Sequence, residues 1–370
     1  MIKRLGDIAS YVNGFAFKPS EWAVEGLPII RIQDLTGTSS NPNYYNQAYD
    51  NKYEINKGDV LISWSASLGV YIWQGEKALL NQHIFKVVFD KGDINKDFFV
   101  YQVAHILKKA SAQAHGATMR HLTRPVFNSL PFWLPERDKQ DKIANILNLI
   151  FKLISVREKQ IQELDKLIKS RFVEMFGDLK SSCKLARYIT GLRSGKSLAG
   201  TEVCINKVLK TGAATFGWFD PEQYKYLPID YFPLPEHRVE NGDVMISRMN
   251  TPDLVGASSY VFKAPKDMYY PDRLWKVIPA RDTNPIFLWQ LLWGNEIRKQ
   301  IKEKSAGTSG TMHNISKARL LEIKSIDVPI QMQNQYANFV LQTYKSKLAV
   351  QKSLEKLETL KNSLMQQYFD

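Results

Sequence analysis

Only two cysteines, Cys183 and Cys204, occur in 370 residues. That is too few for a disulfide framework, and they lack the paired spacing of a zinc site. No apolar run reaches the eighteen or so residues of a membrane-spanning helix. The opening Met1-Ile2-Lys3-Arg4-Leu5-Gly6-Asp7 enters patterned sequence directly, without the apolar stretch of a secretory signal. A cytoplasmic protein with no membrane partner is the expectation. Acidic residues are also scarce: 37 Asp and Glu stand against 50 Lys and Arg, giving a net charge of +13 and a pI near 9.4. Such a balance favours a polyanionic partner, nucleic acid first.

Intact catalytic signatures are missing as well. Thr190-Gly191-Leu192-Arg193-Ser194-Gly195-Lys196-Ser197 has the tail of a phosphate-binding loop, but threonine replaces its leading glycine. Asn41-Pro42-Asn43-Tyr44 resembles the Asn-Pro-Pro-Tyr motif of amino methyltransferases, with Asn43 in the third place and no glycine-rich cofactor loop before it; a plain turn is the simpler reading. Pro271-Asp272 and Glu322-Ile323-Lys324 lie about fifty residues apart, a loose version of a nuclease cluster. Of the six histidines, His115, His121 and His313 lie in or beside the glycine loops, without carboxylate or thiol neighbours at ligand spacing. We therefore expect a non-enzymatic chain that uses no cofactor and no metal.

What the chain has is a copy of itself. Gly58-Asp59-Val60-Leu61-Ile62-Ser63 returns as Gly242-Asp243-Val244-Met245-Ile246-Ser247. Gly116-Ala117-Thr118-Met119-Arg120-His121 returns as Gly310-Thr311-Met312-His313-Asn314, and Leu134-Pro135 as Val328-Pro329. This period is too long for a solenoid, so the repeat is a tandem pair of larger units. With 44% hydrophobic and 12% aromatic residues the chain can bury two cores. Short β-type runs, such as Val70-Tyr71-Ile72-Trp73 and Trp275-Lys276-Val277-Ile278, come before a helix-like stretch in each copy.

A long charged helix follows each copy. In the first, Ile143, Leu147, Ile150, Ile154, Ile161, Leu164, Ile168 and Met175 form a stripe at three- and four-residue steps, interrupted by Arg157 and Arg171. In the second, the register runs through Tyr336, Val340, Thr343, Lys347, Val350, Leu354, Leu357, Lys361, Leu364 and Tyr368. This is coiled-coil patterning. The reading is an α+β chain: two similar mixed α/β domains, 1–135 and 179–329, separated by two long helices, 136–178 and 330–370, forming an antiparallel coiled coil on the order of 50 Å long.

The loops after the apolar strands are polar, basic and aromatic. Ser63-Trp64-Ser65 in the first copy is matched by Ser247-Arg248-Met249-Asn250 in the second. The glycine loops and their flanks offer Thr118, Arg120, His121 and Arg124, then Thr311, His313 and Asn314. Arginine can read guanine and asparagine adenine, whereas Lys196 and Lys210, beside glycines without a core pattern, suit phosphates.

Leu5-Gly6-Asp7-Ile8, Asn13-Gly14-Phe15-Ala16-Phe17-Lys18 and Ile29-Ile30-Arg31-Ile32-Gln33-Asp34-Leu35 resemble the start of a target recognition domain of type I restriction-modification specificity subunits. The resemblance continues in order through Gly58 to Ser63, the Gly-x-Thr loop and a proline exit into a helix with Gln140, Ile143 and Ala144. The second half repeats it with Gly242-Asp243, Pro329, Gln333 and Ala337. It departs at the opening Leu185-Ala186-Arg187-Tyr188-Ile189 and at Leu209-Lys210-Thr211-Gly212-Ala213-Ala214. The resemblance implies two target recognition domains held apart by two conserved helices, each domain reading half of an asymmetric, interrupted double-stranded DNA target. It also implies docked methyltransferase (modification) subunits, usually two, and restriction (motor-nuclease) subunits. A related type II system, with methyltransferase and nuclease fused, would use a similar chain.

If the helices set the gap between half-sites, one heptad inserted into both should lengthen it by about three base pairs, since seven helical residues add about 10 Å and B-DNA rises roughly 3.4 Å per pair. Sequencing the methylated sites of a host carrying the insertion complex measures this; an unchanged gap in an active complex would refute it.

Overall fold

The computed structural model describes residues 1–39, 41–113, 123–309 and 312–370. The chain divides into two compact units, Met1–Lys159 with Gln351–Asp370, and Gln160–Val350.

In the first unit a four-stranded antiparallel sheet has the order Ser10–Asn13, Ile84–Val88, Val60–Ser63, Gly69–Ile72. Side-chain alternation along Val60–Ser63 sends Val60 and Ile62 to one face and Leu61 to the other. On the first face they meet Phe98, Phe99 and Val103 of the helix Lys96–Gln113. Leu61 joins Ile30, Ile55 and Leu80 of a second sheet, ordered Asn43–Tyr45, Leu27–Ile30, Ala78–Leu80, Glu54–Ile55. The result is three layers, with the central strand buried on both faces. That explains why its sequence is an unbroken apolar run.

The second unit repeats this wiring. Its sheet runs Ile189–Arg193, Leu274–Pro279, Val244–Ser247, Ser258–Tyr260, the same order with the same antiparallel pairings. Val244 and Ile246 face the helix-side core, and Met245 faces the second sheet. In that sheet Lys207–Leu209 pairs parallel with Met268–Tyr269, as Leu27–Ile30 does with Ala78–Leu80 in the first unit. Both Gly-Asp turns place glycine in the left-handed region, Gly58 at φ 91° and Gly242 at φ 90°. The aspartates that follow accept from the backbone three residues earlier and pair with a lysine of the neighbouring strand, Asp59 with Lys86 at 2.9 Å and Asp243 with Lys276 at 3.0 Å. Burial pushes the Asp243 carboxyl above the usual carboxylate range, against the pull of the Glu240 amide and Lys276.

Each domain is fastened to its own long helix by a buried glutamine. Gln140, near the start of the helix Arg137–Phe176, accepts from the Asn95 amide at 2.9 Å and donates to the Pro135 carbonyl at 2.9 Å. Gln333, near the start of Ile330–Phe369, accepts from the Asn284 amide at 2.9 Å and donates to the Val328 carbonyl at 2.8 Å. Asn95 and Asn284 in turn cap the domain helices with their side chains, Asn95 accepting from Phe98 and Asn284 from Ile286.

The long helices pair antiparallel in both units. In the second, Lys347 reaches Asp165 at 2.6 Å, and the Tyr336 hydroxyl donates to the Ile168 carbonyl at 3.3 Å. In the first, the Lys361 ammonium lies over the Phe151 ring, and Leu364, Met365, Tyr368 and Phe369 pack against the domain core. The expected stripe residues are buried or half-buried throughout. Lys347 interrupts the stripe without leaving a buried charge unpaired, because Asp165 neutralises it. Among the described residues no helix is long and apolar enough to cross a membrane.

Replacing Gln140 or Gln333 by alanine should cost about 1–3 kcal/mol, because each loss strands a buried amide and a buried carbonyl. Urea unfolding of each variant, beside the exposed-site control Gln366→Ala, tests this; a loss no larger than the control's would show that the clamp does not hold.

Candidate nucleic-acid interface

In the second unit, the strands Val244–Ser247 and Ile189–Arg193 end, and Leu274–Pro279 begins, at one edge of the central sheet. The loops there bring together residues far apart in sequence. Arg248 follows Ser247 and its amide donates to the Arg273 carbonyl at 3.0 Å. The turn before Arg273 is tied to the loop around Lys196, since the Gly195 amide donates to the Pro271 carbonyl at 3.1 Å and the Ser197 hydroxyl bonds Asp272. Met249–Asn250 then pairs with Met312–Asn314, which pairs with Ala306–Ser309. Arg248, Asn250, His313 and Asn314 thus share one small sheet and its flank. The Arg248 carbonyl also accepts from the Ile315 amide at 3.0 Å.

Side-chain roles differ across this edge. The Arg248 guanidinium lies 5.6 Å from the Trp275 ring centre. Asn250 caps its own turn by accepting from the Thr251 amide at 2.9 Å, and His313 Nδ1 meets the Ser305 hydroxyl at 2.9 Å. Asn314 Oδ1 is buried without a donor among the described residues. Lys196 and Lys210 are exposed. The parallel pairing of Lys207–Leu209 with Met268–Tyr269 carries Lys210 toward the end where Pro271 begins its turn. No carboxylate pairs with Arg193, Arg248 or Arg273 among the described residues.

The same edge in the first unit carries different chemistry. The Trp64 amide donates to the His83 carbonyl at 3.2 Å, the counterpart of the Arg248–Arg273 bond. Trp64 stacks on Phe85 at 5.7 Å, and its indole N–H donates to Asn13 Oδ1 at 3.2 Å. His83 holds a left-handed φ of 72°. Arg124 is exposed, yet it donates to the Tyr11 carbonyl at 2.8 Å, as Lys317 does to Leu192 at 2.7 Å, so this cation ties the segment to the sheet. Ser63 and its counterpart Ser247 are fully buried, their hydroxyls taken up by backbone carbonyls. Thr118, Arg120, His121 and Thr311 lie outside the described residues.

Sequence reasoning passed over Asn13, His83, Arg193 and Arg273. Aligning His83-Ile84 with Arg273-Leu274 by their strand positions would have exposed two of them. If Lys196 and Lys210 meet phosphates, alanine at either should weaken specific and scrambled duplexes alike and reduce the slope of log affinity against log salt by about one. Titrations of the assembled complex at several salt concentrations test this; a loss confined to the specific duplex would contradict it.

Residues 1–166 match the family model described as the type I restriction modification DNA specificity domain. The EcoBI type I restriction enzyme specificity subunit of Escherichia coli is 28% identical over 168 residues, 45% of this chain and 35% of that protein, so the matched region spans about a third of that relative's length. The MjaVIII specificity subunit of Methanocaldococcus jannaschii is 24% identical over 338 residues, 83% of this chain and 77% of that protein. The fold resembles the crystal structure of the S subunit of a type I restriction-modification system from M. genitalium, with a TM-score of 0.62 and 15% identity, covering 100% of this chain and 96% of that one. With its first 166 residues matching the specificity-domain model and the same wiring repeated in its second unit, the chain is similar to the type I restriction-modification specificity subunits.

Proposed function

We propose that this chain is the non-catalytic DNA-reading subunit of a cytoplasmic type I restriction-modification enzyme. Each unit presents its loop edge to one half of an asymmetric, interrupted duplex target. Methyltransferase subunits, one for each half, dock on the chain, and restriction subunits join them and supply cleavage. The carrying observation is that one scaffold position holds Trp64 beside His83 in the first unit and Arg248 beside Arg273 in the second. Equal frames with unequal edges suit two half-sites of different sequence. The +13 charge supports a duplex partner. Ile146, Leu149, Leu153 and Val156 form an exposed apolar stripe at helical spacing on the first long helix, which suits a docked protein subunit. The similarity to type I subunits favours separate methyltransferase and nuclease partners over a fused one.

Replacing residues 1–135 with the first domain of another family member should change one half of the methylated motif and leave the other intact. Sequencing the methylated sites of a host carrying the chimera and its partners decides this; if both halves changed, or neither, the two-reader function would be wrong.

A further inference from the structure

Both units set a side chain over an aromatic ring at the reading edge. In the second, Arg248 lies over Trp275; in the first, Trp64 stacks on Phe85. Phe85 and Trp275 occupy one register position, opposite Ile62 and Ile246 in the central strands. The next residue outward on the partner strand's loop is His83 or Arg273, joined to the planar group by the equivalent backbone bond. An aromatic platform beneath a flat side chain limits its rotation, so less entropy is lost when that group meets a base. Arg273 is exposed, Arg248 is half-buried, and neither is held by a carboxylate among the described residues. A guanidinium held over a ring, with no carboxylate on its fork among the described residues, is suited to the O6 and N7 acceptors of guanine in the major groove. The tryptophan face in the first unit has no such fork. Its ring is apolar, of the kind that packs on a thymine methyl, and its indole N–H donates to Asn13 Oδ1 at 3.2 Å.

We infer that position 64/248, with its neighbour 83/273, is the specificity switch of this duplicated frame: Arg248, supported by Arg273, selects guanine in the half-site of the second unit, whereas Trp64 makes an apolar contact with an A·T pair in the other half. This rests on the two-reader function proposed above. Both arginines are then specificity determinants, Arg248 touching the base and Arg273 adding a second cation at the same edge.

The test uses the complete complex with its partner subunits, in two arms. The first compares the wild-type motif with that of the Arg248→Lys and Arg248→Gln complexes by sequencing methylated sites. Lysine should relax one guanine in the half assigned to the second unit, glutamine should shift that position toward adenine, and the other half should not change. The second arm titrates duplexes carrying the wild-type motif or a single substitution of that guanine. Discrimination should fall roughly 5- to 150-fold in Arg248→Lys, the span expected of one lost bidentate contact, with a smaller fall in Arg273→Ala. Absence of guanine from that half-site, or equal losses on motif and scrambled duplexes, would overturn the assignment while leaving the two readers intact. Relaxation in the opposite half would overturn it too. If the domain replacement also fails to move one half alone, the two-reader function itself is at fault.

Discussion

The structure depends on a buried amide at the root of each long helix. Gln140 and Gln333 hold the backbone amide of an asparagine, and that asparagine caps the domain helix lying on the central sheet. One side chain thereby links the start of the long helix, the exit strand and the domain helix. A primary amide suits the task because it donates and accepts at once without charge, so it bridges a backbone N–H and a backbone C=O in a site where an ion would be costly to bury.

The clamp leaves the opposite end of each sheet free to vary. The central strands are buried on both faces and tolerate only apolar residues, as Val60, Leu61 and Ile62 and their counterparts Val244, Met245 and Ile246 show. Beyond Ser63 and Ser247 the chain leaves the core, and the units differ in chemistry there, with Trp64 against Arg248 and His83 against Arg273. Core packing constrains volume and polarity; an exposed loop edge is constrained only by what it meets. The division between frame and reader is a division between buried and exposed backbone.

Charge reinforces that division. Many lysines and arginines of the frame are paired, as in Lys86 with Asp59, Lys276 with Asp243 and Lys347 with Asp165. Those at the second unit's edge, Arg193, Arg248 and Arg273, have no carboxylate partner among the described residues. An unpaired cation at a loop edge keeps its long-range field, which attracts a polyanion and is screened by salt.

The amino-acid sequence alone determined the duplication, the three- and four-residue stripes of the long helices, the Gly-Asp turns and the glutamines that carry the family resemblance. Each of these is local or periodic, set by side-chain alternation, helical repeat or the left-handed conformation of Gly58 and Gly242. It could not place Arg273 beside Arg248, or His83 beside Trp64, because those neighbours come from strands paired across tens of residues and their identities follow no repeat. Nor could it tell Ser63 from Trp64: both read as polar or aromatic loop residues, but the sheet buries the serine hydroxyl against its own backbone and leaves the indole at the edge. Only the tertiary pairing decided which of the candidates stand together, since strand register is fixed by long-range hydrogen bonds and by the core on both faces of the sheet.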